Sequence, residues 1–260
     1  MRRPRRQPAE AGVFIYDSGH VLIAAVRSLL AYFAVSLFVL VTAPIGMLLA
    51  LTFGWTDLLY VFGHAGAQMA MTLVGIRFKV AGRENLPQGR AAVFCANHQS
   101  NVDPPVLFRA VHPRLRVLYK QEIDRIPLLA RAFRMAGFIP IDRHNKESAM
   151  RSIEMGANAL RAGESFLIFP EGTRSKTDQL LPFKKGGIRM AIRAGAPVVP
   201  VAISGGRAAM VRGSFIIRPV TLTIRVGRPV ETRDIDVEHR DVLIERVRHE
   251  IATLLALGPL

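Results

Sequence analysis

Two side chains capable of acid–base chemistry lie five residues apart in the segment 97–103. His98 and Asp103 are separated by Gln-Ser-Asn-Val, in a polar stretch that follows an apolar run. An imidazole titrates near neutrality, and a carboxylate on one ring nitrogen fixes the tautomer whose other nitrogen can accept a proton. The pair therefore predicts a general base acting on a substrate hydroxyl, with Asp103 stabilising the imidazolium that forms.

The sequence around this pair leaves other roles open. Asp103 precedes Pro104, so it could be a helix N-cap followed by proline at the first helical position, with His98 an ordinary loop residue. Cys95 could be a nucleophile with His98 as its base, although a free cysteine in an apolar strand is usually inert. Ser100 is also a candidate nucleophile, although a hydroxyl in such a turn more often bonds its own backbone.

A second polar cluster follows another apolar run. The segment 170–174 places the carboxylate of Glu171, a flexible glycine, a hydroxyl and the guanidinium of Arg174 within one loop. A guanidinium is a planar fork that suits phosphate oxygens, and a carboxylate can orient it or a substrate hydroxyl. Further cations that could complete an anion pocket are Lys120, Arg143, Lys184 and Lys185. Each of these four, taken alone, is more typical of a solvated surface charge than of a ligand contact.

Short apolar, β-branched segments alternate with helical patterns from residue 77 onward. Strands are predicted over 77–80, 91–95, 116–119, 165–169, 198–203 and 221–226, and amphipathic helices over 150–160 and 243–254. This alternation is typical of an α/β fold with a mixed, largely parallel sheet covered by helices. Because ligands bind beyond the carboxyl ends of strands in such sheets, both polar clusters are expected to face one site.

An N-terminal hydrophobic region precedes this sheet. No Asp, Glu, Lys or Arg occurs in the 29 residues between Arg27 and Asp57. As a helix, this stretch would reach about 43 Å at about 1.5 Å per residue, more than the roughly 30 Å of a bilayer core. Residues 58–76 form a second, weaker apolar segment, so the sequence predicts a hydrophobic helical hairpin that spans a membrane or enters one leaflet. The alternatives are a buried pair of core helices and a signal peptide, for which the run is too long.

Basic residues flank the predicted hairpin on both sides. Arg2, Arg3, Arg5 and Arg6 precede it and a basic body follows it. The positive-inside tendency then places both ends at the cytoplasmic face of the inner (plasma) membrane. We therefore divide the chain into a basic tail with a membrane-associated hairpin, residues 1–76, and a catalytic domain, residues 77–260.

The net charge of the chain indicates what kind of partner it binds, and its cysteine content indicates the redox state of its compartment. The net charge is +15, and residues 77–260 hold 30 basic against 17 acidic side chains. Such a field favours anionic partners such as phospholipid headgroups, phosphorylated metabolites, coenzyme A or acidic carrier proteins. Nucleic acid is not expected, because neither zinc-finger spacing nor a stacking aromatic platform is present. The single cysteine, Cys95, excludes an intrachain disulfide and a multi-thiolate zinc site, and it fits a reducing compartment.

Four segments resemble, in order, the motifs of the 1-acylglycerol-3-phosphate acyltransferase family of glycerolipid acyltransferases. Residues 97–103 resemble its first motif, with His98 and Asp103 at the family spacing, and residues 137–143 resemble its second, which ends in Arg143. Residues 169–175 resemble its Phe-Pro-Glu-Gly-Thr-Arg motif and residues 199–203 its fourth. The resemblance covers roughly residues 75–205, and four motifs in order are far more specific than one.

The resemblance implies a membrane-bound enzyme in which His98, oriented by Asp103, deprotonates the acceptor hydroxyl for direct attack on an acyl thioester. It implies no metal, no cofactor and no acyl-enzyme. Carried over by motif position, the residues that would bind the glycerol phosphate of the acceptor or shape its pocket are Lys120, Arg143, Glu171, Gly172, Thr173, Arg174 and Pro200.

The reaction expected from this resemblance is transfer of an acyl group to the sn-2 hydroxyl of lysophosphatidic acid, giving phosphatidic acid. The donor would be acyl-CoA or acyl-carrier protein, and membrane lipids would surround the site. Two alternatives remain at this point. The acceptor could be glycerol-3-phosphate or another lysolipid, or the chain could be a noncatalytic membrane protein that binds anionic lipids.

Overall fold

The computed structural model describes residues 18–112, 114–177, 179–236 and 239–260. The helices are α1 (Ser18–Phe53), α2 (Asp57–Val74), α3 (Asp103–Ala110), α4 (Pro127–Met135), α5 (Lys146–Arg161), α6 (Gly186–Ala194), α7 (Gly206–Ala209) and α8 (Arg240–Ala256). The strands are β1 (Arg77–Ala81), β2 (Val93–Ala96), β3 (Leu115–Lys120), β4 (Ile139–Ile141), β5 (Ser165–Ile168), β6 (Val198–Ser204) and β7 (Thr221–Val226).

The seven strands form one sheet in the order β1-β7-β6-β2-β5-β3-β4. Strands β2 to β6 are parallel to one another, β7 is antiparallel to β6, and β1 is parallel to β7. The predicted α/β fold with a mixed, largely parallel sheet is therefore confirmed. All six predicted strands are present, but sequence reasoning missed β4. This strand is only three residues long and contains Pro140, which an edge strand tolerates because one side of it forms no ladder.

Each face of the sheet has its own apolar core. On β2, Val93 and Cys95 pack with α5, α6 and α8, whereas Phe94 and Ala96 pack with α2 and α3. All four residues of β2 are buried. A central strand covered by helices on both faces reads as a continuous apolar run, which is why the sequence predicted it correctly.

The N-terminal hairpin is formed by α1 and α2, and two glycines allow these helices to approach closely. A Cβ atom on Gly46 would lie 2.9 Å from Leu59 Cδ2, and one on Gly66 would lie 3.2 Å from Phe38 Cε1. The positive φ of Gly75 ends α2, and its N–H donates to carbonyls of the last turn. The described part of α1, Ser18–Phe53, includes Arg27 and so extends beyond the charge-free run on its N-terminal side.

Most of the α1 surface is apolar and exposed. Among the described residues, the segment Gly19–Phe53 is the one helix long and apolar enough to cross a membrane, and 22% of its most apolar window is buried. This exposure argues against the alternative of a buried pair of core helices. The predicted boundary after residue 76 falls between α2 and β1. Arg2, Arg3, Arg5 and Arg6 lie outside the described residues.

Candidate active site

The carboxyl ends of β2 to β6 meet at one edge of the sheet, because these five strands run in the same direction. Residues directly after them therefore converge, as the sequence predicted for the two polar clusters. The segments that follow these strands are 97–103 after β2, 121–125 after β3, 142–145 after β4, 169–175 after β5 and 205–209 after β6.

His98 and Asp103 form a hydrogen-bonded pair at this edge. His98 Nδ1 lies 2.9 Å from Asp103 Oδ2, the Asp103 side chain is fully buried, and the His98 side chain is 17% exposed. A neutral imidazole that donates through Nδ1 keeps Nε2 unprotonated. The pair thus has the geometry that a general base requires, because the free nitrogen Nε2 belongs to His98, which is the less buried of the two residues.

The Asp103 carboxylate is fixed by backbone as well as by His98. Its Oδ2 atom accepts hydrogen bonds from the N–H groups of Gln99 and Ser100, each at 2.7 Å. These donors belong to the turn before α3 and not to the helix itself. Pro104 and Pro105 have no N–H to offer, and the residue at the N-cap position, Val102, makes no side-chain capping bond. The interpretation of Asp103 as a mere helix cap is therefore wrong.

Glu171 joins the second polar cluster to the first. Its carboxylate is 3% exposed, with Oε1 accepting from the His98 N–H at 2.8 Å and Oε2 from the Leu181 N–H at 3.0 Å. Burial raises the pKa of Glu171, and these two N–H groups offset only part of that effect. The geometry gives Glu171 a positioning role on the His98 backbone, and its direct contact with the acceptor stays a prediction.

Two further contacts hold His98 in place. The Ser175 N–H donates to the His98 carbonyl oxygen at 2.8 Å, so both backbone groups of His98 bind the 171–175 loop. The Phe169 ring stacks on the imidazole, with centroids 4.2 Å apart and planes 26° apart. The pairing of these two rings could not be foreseen from sequence, because it requires β2 and β5 to be neighbours.

The loop that follows β2 is also hydrogen-bonded to β6 through its first residue, Asn97. The Asn97 side chain donates to the Ile203 carbonyl at 2.9 Å and accepts from the Ile203 N–H at 2.8 Å. Asn97 is 2% exposed, and an amide that satisfies both backbone groups of one residue acts as a rigid clamp. This clamp brings the turn after β6 against the His98 segment.

Gly206 is a site residue that sequence reasoning missed. Its N–H donates to Gln99 Oε1 at 3.1 Å. A Cβ atom at this position would lie 2.4 Å from Asp103 Oδ1, which makes no hydrogen bond with the described residues. The adjacent glycines 205 and 206 after an apolar strand are a turn signal, but the sequence does not reveal what the turn approaches.

Cations gather around the glycine of the second cluster. Arg143 Nη1 donates to the Gly172 carbonyl at 2.5 Å. The positive φ of Gly172, 69°, allows the loop to turn beside Lys184, whose Cε would lie 2.8 Å from a Cβ there. Arg174 is half-buried and Thr173 is exposed in the same loop. Arg143 and Lys184 therefore lie against the loop that carries Arg174, as the prediction of an anion pocket requires.

Lys120, Lys185 and Pro200 have other surroundings. Lys120 forms an exposed ion pair with Glu122 at 2.7 Å, and Lys185 pairs with Asp241. Pro200 is buried within β6 opposite Cys95, and its Cβ lies on the side of Gly227. The roles of Lys120 and Pro200 in substrate binding stay predictions.

The two alternative nucleophiles are poorly placed. The Cys95 thiol is fully buried on the face covered by α5, α6 and α8, and that burial, with a smaller effect of Glu171, raises its pKa far above the usual value. Ser100 is also fully buried, and its hydroxyl donates to the Met210 carbonyl at 3.2 Å, not to its own turn as expected. Neither group has the activation or the access that a nucleophile needs.

An apolar cavity of about 440 Å³ is lined in part by the first turn of α3, the helix that begins at Asp103. It lies between α1, α2, α3 and α4, and its lining includes Pro104 and Pro105, the two residues directly after Asp103. Phe38, Tyr60, Phe108 and Phe133 contribute aromatic walls. The cavity therefore lies between the hydrophobic hairpin and the start of α3, and its apolar lining is suited to a long apolar chain.

The chain is similar to known acyltransferases over the region that forms this site. An acyltransferase family model matches residues 77–204, which contain all four motif segments. A 1-acyl-sn-glycerol-3-phosphate acyltransferase from Cocos nucifera is 31% identical over 250 residues, covering 94% of this chain and 80% of that protein. The chain belongs to the 1-acylglycerol-3-phosphate acyltransferase family. This chain is also 27% identical to a 1-acyl-sn-glycerol-3-phosphate acyltransferase from Limnanthes douglasii, covering 96% of this chain and 90% of that protein.

A solved structure supports the fold of the acyltransferase. The crystal structure of the 1-acyl-sn-glycerophosphate (LPA) acyltransferase PlsC from Thermotoga maritima superposes with a TM-score of 0.76 at 24% identity, covering 90% of this chain and 97% of that one. Family membership makes the protein an enzyme, so the alternative of a noncatalytic lipid-binding protein is wrong. Among the described residues, no group of three or more His, Cys, Asp or Glu side chains could hold a metal ion.

Proposed function

We propose that this acyltransferase transfers a fatty acyl group from an acyl thioester to the sn-2 hydroxyl of lysophosphatidic acid, giving phosphatidic acid at a membrane surface. The observation that carries the proposal is the position of His98. Its ring is held by Asp103 on one side, and the helix that begins at Asp103 lines an apolar cavity through Pro104 and Pro105. His98 also shares the sheet edge with the cationic loop around Gly172. The relatives from coconut and meadowfoam carry the name of the same reaction.

In the proposed chemistry, His98 Nε2 takes the proton of the acceptor hydroxyl as the oxygen attacks the thioester carbonyl carbon. Asp103 stabilises the imidazolium, since its buried carboxylate holds Nδ1–H throughout. The tetrahedral intermediate then collapses, the carbon–sulfur bond breaks, and the thiolate recovers the proton from His98. Both half-steps need only one base and one acid, so no residue of the chain becomes acylated.

The acceptor phosphate is proposed to bind the cationic loop. Arg143 contacts the Gly172 carbonyl with one nitrogen, and a guanidinium has further N–H groups available for phosphate oxygens. Arg174 and Thr173 lie in the same loop, and Lys184 packs against Gly172. A phosphate-bearing acceptor would thus lie near His98, because Glu171 of this loop also binds the His98 backbone.

The acyl chain is proposed to enter the apolar cavity beside Pro104, and the hairpin is proposed to attach the enzyme to the bilayer. Exposed apolar side chains along α1 support this attachment, and the positive-inside tendency favours the cytoplasmic face. Either acyl-CoA or acyl-carrier protein fits the thioester requirement, since both donors are anionic and the catalytic domain is basic. No cofactor enters the proposed chemistry.

The decisive experiment is acyl transfer by the purified full chain in vesicles of phosphatidylethanolamine and phosphatidylglycerol. Each donor, acyl-CoA or acyl-carrier protein, is paired with lysophosphatidic acid, glycerol-3-phosphate or lysophosphatidylcholine. We expect lysophosphatidic acid to be the preferred acceptor. The His98→Ala variant should lose turnover at least about 10³-fold, the scale of losing a base that starts the chemistry.

A matched control removes an imidazole elsewhere. His249 is exposed on α8, on the face opposite α2 and α3, so His249→Ala should keep wild-type turnover. Activity with glycerol-3-phosphate and none with lysophosphatidic acid would refute the proposed acceptor while leaving the base intact. Full turnover by a folded His98→Ala protein would refute the mechanism itself.

A further inference from the structure

The loop between α7 and β7 presents apolar side chains to the outside of the molecule. Phe215 is 79% exposed and Val211 is 46% exposed. Arg212 beside them is exposed as well. Exposing an entire aromatic ring beside a cation is costly in water but typical of segments that lie in the interface of a bilayer.

This loop is fastened to α1 by two residues of the helix. Tyr32 Oη donates to the Phe215 carbonyl at 2.9 Å. The Ile217 N–H donates to Ser28 Oγ at 2.8 Å, and Ser28 is 3% exposed. The position of the loop is therefore fixed by α1 as well as by its own turn.

The loop lies beside a part of α1 whose side chains are apolar and exposed. Leu29 and Phe33 flank Tyr32 in sequence order along the helix and are 71% and 68% exposed. A bilayer that covers these residues meets the loop at the same level, since Tyr32 joins the two directly. A lipid surface fits this combined patch better than a protein partner, because the patch extends along the membrane-seeking helix and the chain carries a net charge of +15.

On its other side the loop reaches the active site. Arg212 Nη1 donates to the Arg174 carbonyl at 3.1 Å. Arg174 belongs to the loop that contains Glu171, and this loop is hydrogen-bonded to the backbone of His98. The segment 211–217 thus connects α1 with the proposed acceptor site, through the hydrogen bonds of Tyr32 and Ser28 on one side and that of Arg212 on the other.

We propose that residues 211–217 form a second membrane contact, in which Phe215 inserts among anionic lipids. Arg212 then holds the 171–175 loop, which carries Arg174, at the bilayer surface. The inference rests on the proposed attachment of the hairpin. Its consequence is that a lysolipid acceptor leaves the bilayer next to Arg174 and does not cross water to reach the site.

Tryptophan fluorescence tests the insertion directly, because the chain has one tryptophan, Trp55. The double variant Trp55→Phe with Phe215→Trp places the single reporter in the loop. In vesicles of equimolar phosphatidylcholine and phosphatidylglycerol, its emission should shift to the blue and be quenched by brominated acyl chains. The matched control carries Trp55→Phe with Val242→Trp, since Val242 is 72% exposed on α8, and it should remain accessible to aqueous acrylamide.

The wild-type protein separates the two possible failures. Trp55 lies at the tip of the hairpin, so quenching of Trp55 by brominated lipid reports the hairpin alone. If Trp55 is quenched but the Phe215→Trp reporter responds only to acrylamide, the loop contact is refuted and the hairpin stands. If neither is quenched by lipid, the membrane attachment and the loop contact are refuted together.

A kinetic measurement tests the consequence for the acceptor. Phe215→Ser removes the inserting ring, so it should raise the KM for vesicle-borne lysophosphatidic acid severalfold. The Arg212–Arg174 hydrogen bond does not involve this ring, so kcat should not change. Turnover of a water-soluble, short-chain acceptor should not change. Equal KM values for the two proteins on vesicles would overturn the role of the loop in delivering the acceptor.

Discussion

Replacing Gly206 by alanine should disable the base without touching it. The new Cβ atom would lie 2.4 Å from Asp103 Oδ1, 3.2 Å from Gln99 Cβ and 3.3 Å from Ser100 Cβ. A comfortable contact needs about 3.5 Å, so the carboxylate must retreat by about 1 Å. Gln99 and Ser100 donate the two N–H groups that fix this carboxylate, so they cannot follow it independently.

The expected loss follows from that displacement. A misplacement of about 1 Å in a catalytic arrangement costs about 10²-fold in rate, and loss of the aspartate charge from a histidine–aspartate pair costs about 10⁴-fold. Gly206→Ala should therefore lower kcat between about 10²-fold and 10⁴-fold. The residue does not have a positive φ, so alanine suits its backbone and the effect is steric.

The assay is acyl transfer to lysophosphatidic acid in vesicles as a function of pH, with thermal unfolding measured on the same samples. Gly186→Ala is the matched control, because Gly186 also begins a helix and its Cβ would meet only the mobile end of Ile153 at 3.3 Å. We expect the control to keep its turnover. A folded Gly206→Ala protein with wild-type kcat and pH profile would refute the claim that Asp103 must hold its observed position.

Three further substitutions test neighbouring parts of the site. Asp103→Asn can keep an oxygen toward Gln99, Ser100 and His98, so we expect wild-type thermal stability with kcat lowered about 10²-fold to 10⁴-fold; unchanged turnover would contradict the pair. Burial raises the pKa of Glu171 in the folded protein above that of the unfolded chain. The stability that the protonated Glu171 side chain contributes is therefore fully present below about pH 4.3, and it is lost as the pH rises through the pKa of the folded protein. The difference in urea unfolding free energy between wild type and Glu171→Gln should show this decline, and a difference that grows with pH would reverse the assignment. Cys95→Ala should keep full turnover and lose about 1 kcal/mol of unfolding free energy, whereas loss of turnover in a folded protein would restore the thiol as a candidate.

Local patterns were enough to predict much of this protein. The strand β2 is buried on both faces, so its apolar run was visible without knowing its neighbours. His98 and Asp103 are close in sequence, and a single turn brings them within 2.9 Å. The edge strand β4 was missed because three residues around Pro140 carry too little pattern.

The role of Glu171 shows where local patterns stop. The sequence identified the residue and predicted that it helps to bind the glycerol phosphate of the acceptor. In the structure both of its carboxylate oxygens bind backbone N–H groups, one of them 73 residues away at His98. That bond exists because β5 lies directly beside β2. Strand order is set by packing over the whole sheet, and no short segment encodes it.

The sequence by itself determined the fold class, the apolar hairpin and the pairing of His98 with Asp103, because each depends on a pattern within short segments. Only the tertiary structure decided what surrounds them. Gly206 stands against Asp103, Phe169 stacks on His98 and Phe215 joins α1 because strands and loops far apart in the chain become neighbours. Those contacts have no periodicity or motif, since they arise from steric fit between separate elements.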